Sequence, residues 1–180
     1  MQRVLIIGSG GSGKSTLARE IGARTGLPVV HLDRHYWRPG WVEPSKETWE
    51  AQVRDLVSEP AWVMDGNYGG TFHLRFPEAD TIVFLNRSRW LCLWRVLARR
   101  IRFHRQSRPD MAEGCPEHMT LQFLHYVLMY PRTRRPGILA RLRNVEGEKR
   151  IAILRSSADV TRFLDGLDAR PSHPTSGPQR

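Results

Sequence analysis

Five short apolar runs, rich in β-branched residues, predict five buried strands of a parallel sheet. These runs cover 3–7, 27–32, 61–65, 81–85 and 150–154. Between them, apolar residues recur at helical spacing, which predicts helices packed on both faces of the sheet. The predicted helices cover 14–26, 45–58, 87–104, 117–130, 134–143 and 158–167, with loops at 33–45 and 106–116. The pattern predicts one α/β domain over 1–168, followed by a polar tail over 169–180 that we expect to be disordered.

The segment between the first strand and the first helix is a glycine–serine loop that fits the pattern G-x-x-x-x-G-K-[ST]. Glycines let backbone N–H groups surround phosphate oxygens, and the helix that follows adds the positive end of its dipole. We expect Lys14 to reach the β- and γ-phosphates of ATP and Ser15 to bind Mg²⁺ through its hydroxyl. The predicted nucleotide-binding residues, called the phosphate loop below, are Gly8, Ser9, Gly10, Gly11, Ser12, Gly13, Lys14, Ser15 and Thr16.

An acidic residue is needed beside the metal of such a loop, and Asp65 stands directly after the apolar run 61–64. A carboxylate at the end of an apolar strand is the Walker-B pattern, so we expect Asp65 to contribute to the Mg²⁺ site, directly or through a water molecule. An aspartate that only forms a turn before Gly66 is the alternative.

The composition is that of a globular protein, with 40% hydrophobic and 26% charged residues in 180. No apolar run approaches the ~20 residues that a membrane helix needs, and the first apolar run is typical of a strand rather than a signal peptide. Two cysteines are too few for a disulfide framework. We therefore expect a cytoplasmic protein that has no membrane partner.

The positive charge is concentrated in one segment. Residues 81–145 contain thirteen arginines and three acidic residues, which accounts for the net charge of +10 of the whole chain. A segment of this kind suits a polyanion, either a nucleotide or a nucleic acid. Both partners stay open at this point, although no helix-turn-helix or zinc-finger pattern is present.

Several stretches resemble the bacterial DNA topology modulation proteins, which are P-loop NTPases related to adenylate-kinase-type kinases. The matching stretches are HLD at 31–33, YWRPGW at 36–41, DGNY at 65–68, RWLCL at 89–93 and RPDMAEGCP at 108–116. The resemblance implies a three-layer α/β/α sandwich around a five-stranded parallel sheet in the order 2-3-1-4-5, with ligands at the carboxyl ends of the strands. It also implies a lid between the fourth and fifth strands, here an arginine-rich insert at about 100–145.

The same resemblance to kinases implies roles for further residues. Arg95 and Arg99 lie four apart on one predicted helix face and match arginines that stack on the donor base and hold its phosphates. Asp33 lies just past the second strand, where related kinases hold or deprotonate the acceptor hydroxyl. The other acceptor-site candidates are Arg38, Trp41, Asn67, Tyr68 and Arg75. The alternatives are a solvated basic face for the arginines, core or loop packing for the tryptophan and a structural role for Asp33.

The residues and the resemblance together favour a kinase that moves a phosphoryl group from ATP, with Mg²⁺, to a small acceptor such as a nucleotide, a nucleoside or a polyol. A nucleotide-dependent DNA-binding protein that uses the basic segment 81–145, or an ATPase switch, is the alternative. The sequence does not identify the acceptor.

Overall fold

The computed structural model describes residues 1–103, 111–115 and 119–168. Its strands are β1 Arg3–Gly8, β2 Val29–His31, β3 Trp62–Asp65, β4 Thr81–Leu85 and β5 Arg150–Leu154. Its helices are α1 Lys14–Thr25, α2 Leu32–Tyr36, α3 Lys46–Ser58, α4 Phe72–Glu78, α5 Arg89–Arg102, α6 Leu121–Thr133, α7 Arg135–Asn144 and α8 Ser157–Asp168. Most of the loop predicted at 106–116 and the whole tail predicted at 169–180 lie outside the described residues.

The five strands form one parallel sheet in the order β2-β3-β1-β4-β5, which confirms the predicted topology. The central strand β1 pairs on one side with β3, where Ile6 lies opposite Asp65. On its other side it pairs with β4, where Gly8 lies opposite Leu85. The carboxyl ends of these three strands therefore meet at one edge of the sheet, and the phosphate loop begins at that edge.

Helices cover both faces of the sheet because side chains of β1 alternate between the two faces. Leu5 and Ile7 pack in a core with residues of α3, α4, α6 and α7. Val4 and Ile6 pack on the opposite face with residues of α1 and α8. All four side chains are fully buried, and burial of this kind stabilises the fold by roughly 1.5–3 kcal/mol for each side chain.

Three local predictions differ from the structure. The short helix α2 occupies the start of the segment predicted as a loop, and α4 forms between β3 and β4, where no helix was expected. Phe72 and Phe76, one helical turn apart, bury the inner face of α4. The helix predicted from 117 begins as α6 at Leu121, since the Thr120 hydroxyl accepts a hydrogen bond of 3.0 Å from the Phe123 N–H and so caps the helix at that point.

Helix α5 has faces of different chemistry. Cys92 and Val96 are fully buried against the body of the protein, while Arg95 lies toward the phosphate loop. Its outer face is an exposed apolar stripe formed by Trp90, Trp94, Leu97 and Ile101. None of the helices within the described ranges is both long and apolar enough to cross a membrane.

Candidate active site

A cleft of about 890 Å³ opens at the carboxyl edge of the sheet. Residues 10–16 of the phosphate loop form its base, and residues of α2, α5, α6 and α8 contribute to its walls. The structure brings together in this cleft the candidates Asp33, Trp41, Asn67, Tyr68, Arg95 and Arg99. It does not bring Arg38 or Arg75 to the cleft wall.

The phosphate loop has the backbone that its glycines allow. Gly11 has φ +74°, in the left-handed region that side chains with a Cβ disfavour. A Cβ at this position would collide with the carbonyl oxygen of Cys92, the buried residue of α5. Glycine is therefore needed at this position both for its backbone angle and for the close approach of α5.

Lys14 lies across the loop. Its Nζ donates hydrogen bonds of 3.0 Å to the carbonyl oxygens of Gly8 and Ser9. Burial lowers the pKa of Lys14 from its ordinary value, and the carboxylates of Asp65 and Asp33 partly oppose that shift. The ammonium group is thus held inside the loop, where a phosphate would meet a cation that is only partly hydrated.

Ser15 and Asp65 lie together, as the predicted metal site requires. The Ser15 hydroxyl donates a hydrogen bond of 2.8 Å to one carboxylate oxygen of Asp65, and the His31 Nδ1 lies 2.5 Å from the other. Asp65 is 4% exposed, so these two contacts replace bulk water around its carboxylate. Hydroxyl and carboxylate oxygens fit Mg²⁺, which prefers oxygen ligands.

His31 is not among the predicted site residues, and the sheet register explains its contact with Asp65. His31 lies opposite Asp65 in the pairing of β2 with β3. Among the described residues, no group of three or more His, Cys, Asp and Glu side chains is arranged to hold a metal ion. Mg²⁺ usually keeps several water ligands and binds substrate phosphates, so at Ser15 and Asp65 it would take its further ligands from both.

Asp33 and Tyr68 also line the cleft. The Tyr68 hydroxyl donates a hydrogen bond of 2.7 Å to Oδ1 of Asp33. Burial, and then the charge of Asp33, raise the pKa of Tyr68 far above its ordinary value, so the hydroxyl keeps its proton. The ring of Tyr68 packs against Tyr36 and Trp49, which fixes the direction of that hydrogen bond. A carboxylate oriented in this way can accept a hydrogen bond from a substrate hydroxyl.

Asn67 connects the end of β3 to the phosphate loop. Its side-chain oxygen accepts a hydrogen bond of 3.1 Å from the Gly8 N–H, and its amide nitrogen donates one of 2.7 Å to the Gly8 carbonyl. The same nitrogen donates a hydrogen bond of 2.7 Å to the hydroxyl of Tyr126 on α6, a residue that the sequence analysis did not single out. Asn67 lines the cleft, but its hydrogen bonds position the loop.

Two arginines of α5, which share a helix face, line the cleft. Arg95 and Arg99 both line it, and Arg87 and Arg102 extend the same positive wall. Nη1 of Arg95 lies 3.4 Å from the carbonyl oxygen of Ser12, within the phosphate loop. The positive charge of this wall lies where the phosphates of a nucleotide would bind.

The remaining candidates, Trp41, Arg38 and Arg75, contact other parts of the protein. Trp41 lines the cleft and packs edge-to-face against Trp37 at 5.1 Å between ring centroids. The backbone of Arg38 pairs with that of Val42 in a turn. Arg75 is fully buried and donates hydrogen bonds to the carbonyl oxygens of residues 66, 67 and 68. Its guanidinium group therefore holds the loop after β3 and does not line the cleft.

Replacing Arg75 by methionine should lower the free energy of unfolding by about 2–4 kcal/mol, because three buried carbonyl groups lose a charged donor. Chemical denaturation measures this loss, with Arg54→Met on the exposed side of α3 as the control. A variant with unchanged stability but a raised acceptor KM would instead indicate direct contact with the acceptor.

No protein-family model matches the chain, and no curated protein does. The chain is similar in structure to the shikimate kinase from Acinetobacter baumannii in complex with shikimate, with a TM-score of 0.57 and 19% identity over 93% of this chain and 90% of that one. A gluconokinase from Sinorhizobium meliloti 1021 gives 0.48 and 17% over 92% and 95%. The deoxyadenosine kinase from M. mycoides with bound dCTP gives 0.48 and 11% over 93% and 100%.

Sequence identities of 11–19% show a shared fold and nothing more. The resemblance to DNA topology modulation proteins stays a prediction. The TM-score of 0.57 shows that the chain and the shikimate kinase share a fold. The chain has the adenylate-kinase-like α/β fold of the P-loop kinases.

Proposed function

We propose that the protein is a kinase that uses ATP and Mg²⁺ to phosphorylate a hydroxyl group of a small acceptor. One observation carries the proposal: a single cleft contains both the phosphate loop and the Asp33 carboxylate, which Tyr68 holds in place. A phosphate-binding loop alone fits any P-loop NTPase. A fixed carboxylate in the same cleft supplies the general base that takes the proton of an acceptor hydroxyl.

The donor side acts by positioning and by charge. Backbone N–H groups of the phosphate loop and the Lys14 ammonium bind the phosphates of ATP, while Arg95 and Arg99 approach from α5. Ser15 and Asp65 would hold Mg²⁺, which supplies charge neutralisation on the phosphates. The arginine wall stabilises the negative charge that develops on the transferred group in the transition state.

On the acceptor side, Asp33 accepts the hydrogen bond of the attacking hydroxyl and takes its proton as the phosphoryl group is transferred. Tyr68 acts through Asp33 and is a positioning residue, since its hydroxyl donates a hydrogen bond that fixes one carboxylate oxygen. Trp41 supplies an aromatic surface at the same end of the cleft. A nucleotide, a nucleoside and a polyol all offer a suitable hydroxyl.

The direct test measures ATP consumption with panels of nucleosides, nucleotides and polyols, and without any acceptor. A kinase consumes ATP in proportion to an added acceptor and forms its phosphorylated product, and Lys14→Ala removes both signals. Acceptor-independent consumption would indicate an ATPase switch. Binding of labelled DNA with a steep dependence on salt would indicate a nucleic-acid-binding protein, for which the structural comparisons give no support.

Removal of the Arg99 guanidinium should slow transfer strongly. We expect Arg99→Ala to lower kcat/KM for ATP by about 10²–10³-fold, because the transition state loses a positive group at the cleft wall. Arg143→Ala is the matched control, since Arg143 is exposed on α7 and does not line the cleft. An Arg99 variant with wild-type kcat/KM would identify this residue as surface charge.

A further inference from the structure

A second cavity, of about 490 Å³, adjoins the cleft and shares Asn67, Tyr68 and Tyr126 with it. We propose that this second cavity binds an anionic group of the acceptor, so that the acceptor is a hydroxyl compound that also carries a carboxylate or a phosphate. The inference rests on the proposed kinase function, because it names the chemical class of the acceptor for that reaction.

The charge of the second cavity supports an anion. Its lining contains two arginines, Arg134 at the start of α7 and Arg141 about two turns further along the same helix, and no Asp or Glu among the described residues. Neither arginine forms an ion pair with any carboxylate in the described ranges. The guanidinium carbon of Arg141 lies 5.9 Å from the ring centroid of Phe72, which also lines the cavity, so the aromatic ring helps to orient the cation.

The second cavity lies close enough to Asp33 for one acceptor molecule to contact both. Tyr68 lies between the two sites: its hydroxyl contacts Asp33 in the cleft, while the residue also lines the second cavity. A molecule that lies along Tyr68 can present a hydroxyl to Asp33 and an anionic group to Arg134 and Arg141. A neutral acceptor would offer no negative charge to either arginine.

Calorimetry tests this directly on the full chain saturated with an ATP analogue that cannot transfer its phosphate. The ligands are matched pairs: hydroxy acids such as gluconate with the neutral polyol glucitol, and nucleoside monophosphates with their nucleosides. We expect an anionic member to bind and its neutral counterpart to bind at least about tenfold more weakly. Preference for the hydroxy acid or for the monophosphate identifies the anion as carboxylate or phosphate.

The variants Arg134→Gln and Arg141→Gln should each weaken binding of that anion by about 10–100-fold, as expected for loss of a charged hydrogen bond. Arg143→Gln, an equal charge change on α7 outside the second cavity, should leave it unchanged. Unchanged thermal stability of these exposed-site variants separates loss of contact from loss of fold.

The inference would be overturned by equal binding of charged and neutral partners, by equal binding by wild type and both variants, or by no binding of any anionic ligand. Lys14-dependent phosphorylation of a neutral acceptor would uphold the kinase and overturn the anion site. Anion binding that the arginine variants lose, without any phosphoryl transfer, would uphold the anion site and overturn the kinase.

Discussion

Lys14→Ala is expected to reduce phosphoryl transfer to the uncatalysed background and to weaken ATP binding by at least about tenfold. Lys14 is the cation of the phosphate loop, and its Nζ is held 3.0 Å from two loop carbonyls. Its partial desolvation strengthens its attraction to phosphate, since charges interact more strongly away from bulk water. Calorimetry with ATP and a coupled assay of product formation measure the two effects separately.

Lys46→Ala is the matched control, because the Lys46 side chain is 79% exposed on α3 and lies outside the cleft. It should leave both ATP affinity and turnover unchanged. If Lys14→Ala also binds ATP normally and retains activity, the phosphate loop is not the nucleotide site and the proposed function fails with it.

Asp33→Asn is expected to lower transfer to the acceptor by about 10²–10⁴-fold while ATP affinity stays within about twofold. Asparagine has nearly the same shape, and its side-chain oxygen still accepts the hydrogen bond of 2.7 Å from Tyr68, but it cannot take a proton. Any slow hydrolysis of ATP without acceptor should be spared, because the phosphate loop is intact. Initial rates with and without acceptor, together with calorimetry, give the comparison.

Two further variants separate the roles of Asp33. Asp55→Asn, at an exposed position of α3, carries the same charge change and should be silent. Tyr68→Phe keeps the carboxylate but removes its partner, so it should raise the acceptor KM more than it lowers kcat. Equal loss of ATP binding and transfer in Asp33→Asn would indicate a structural residue. Full activity would exclude Asp33 from the mechanism.

The sequence was sufficient for the strands and the phosphate loop, because each depends on local pattern, whereas the order of the strands came from the resemblance to kinases. Buried parallel strands are continuous apolar runs, and a glycine-rich loop that joins a strand to a helix and ends in Gly-Lys-Ser is highly specific for phosphate binding. The resemblance to kinases added Asp33, Tyr68 and the two arginines of α5 as site candidates, and their roles stay predictions.

Other features depend on tertiary contacts that no local pattern records. His31 reaches Asp65 because of the β2–β3 register, and Tyr126 reaches Asn67 from a helix that lies 59 residues further along the chain. An arginine near a loop looks the same in sequence whether it faces a ligand or, like Arg75, supports the loop from inside. Which cation is buried depends on the packing of α4, a helix that the sequence analysis did not predict.

The central position of β1 has a consequence for synthesis on the ribosome. Val4 pairs with Val63 and Thr81, so the partners of this strand are made 59 and 77 residues after it. At ~5–20 residues per second, β1 waits on the order of 3 to 15 s as an unpaired apolar segment, the kind of segment that chaperones protect. The phosphate loop gains its supports from Asn67 and from β4 only after a further 59 and 77 residues, respectively, have followed Gly8 out of the ribosome.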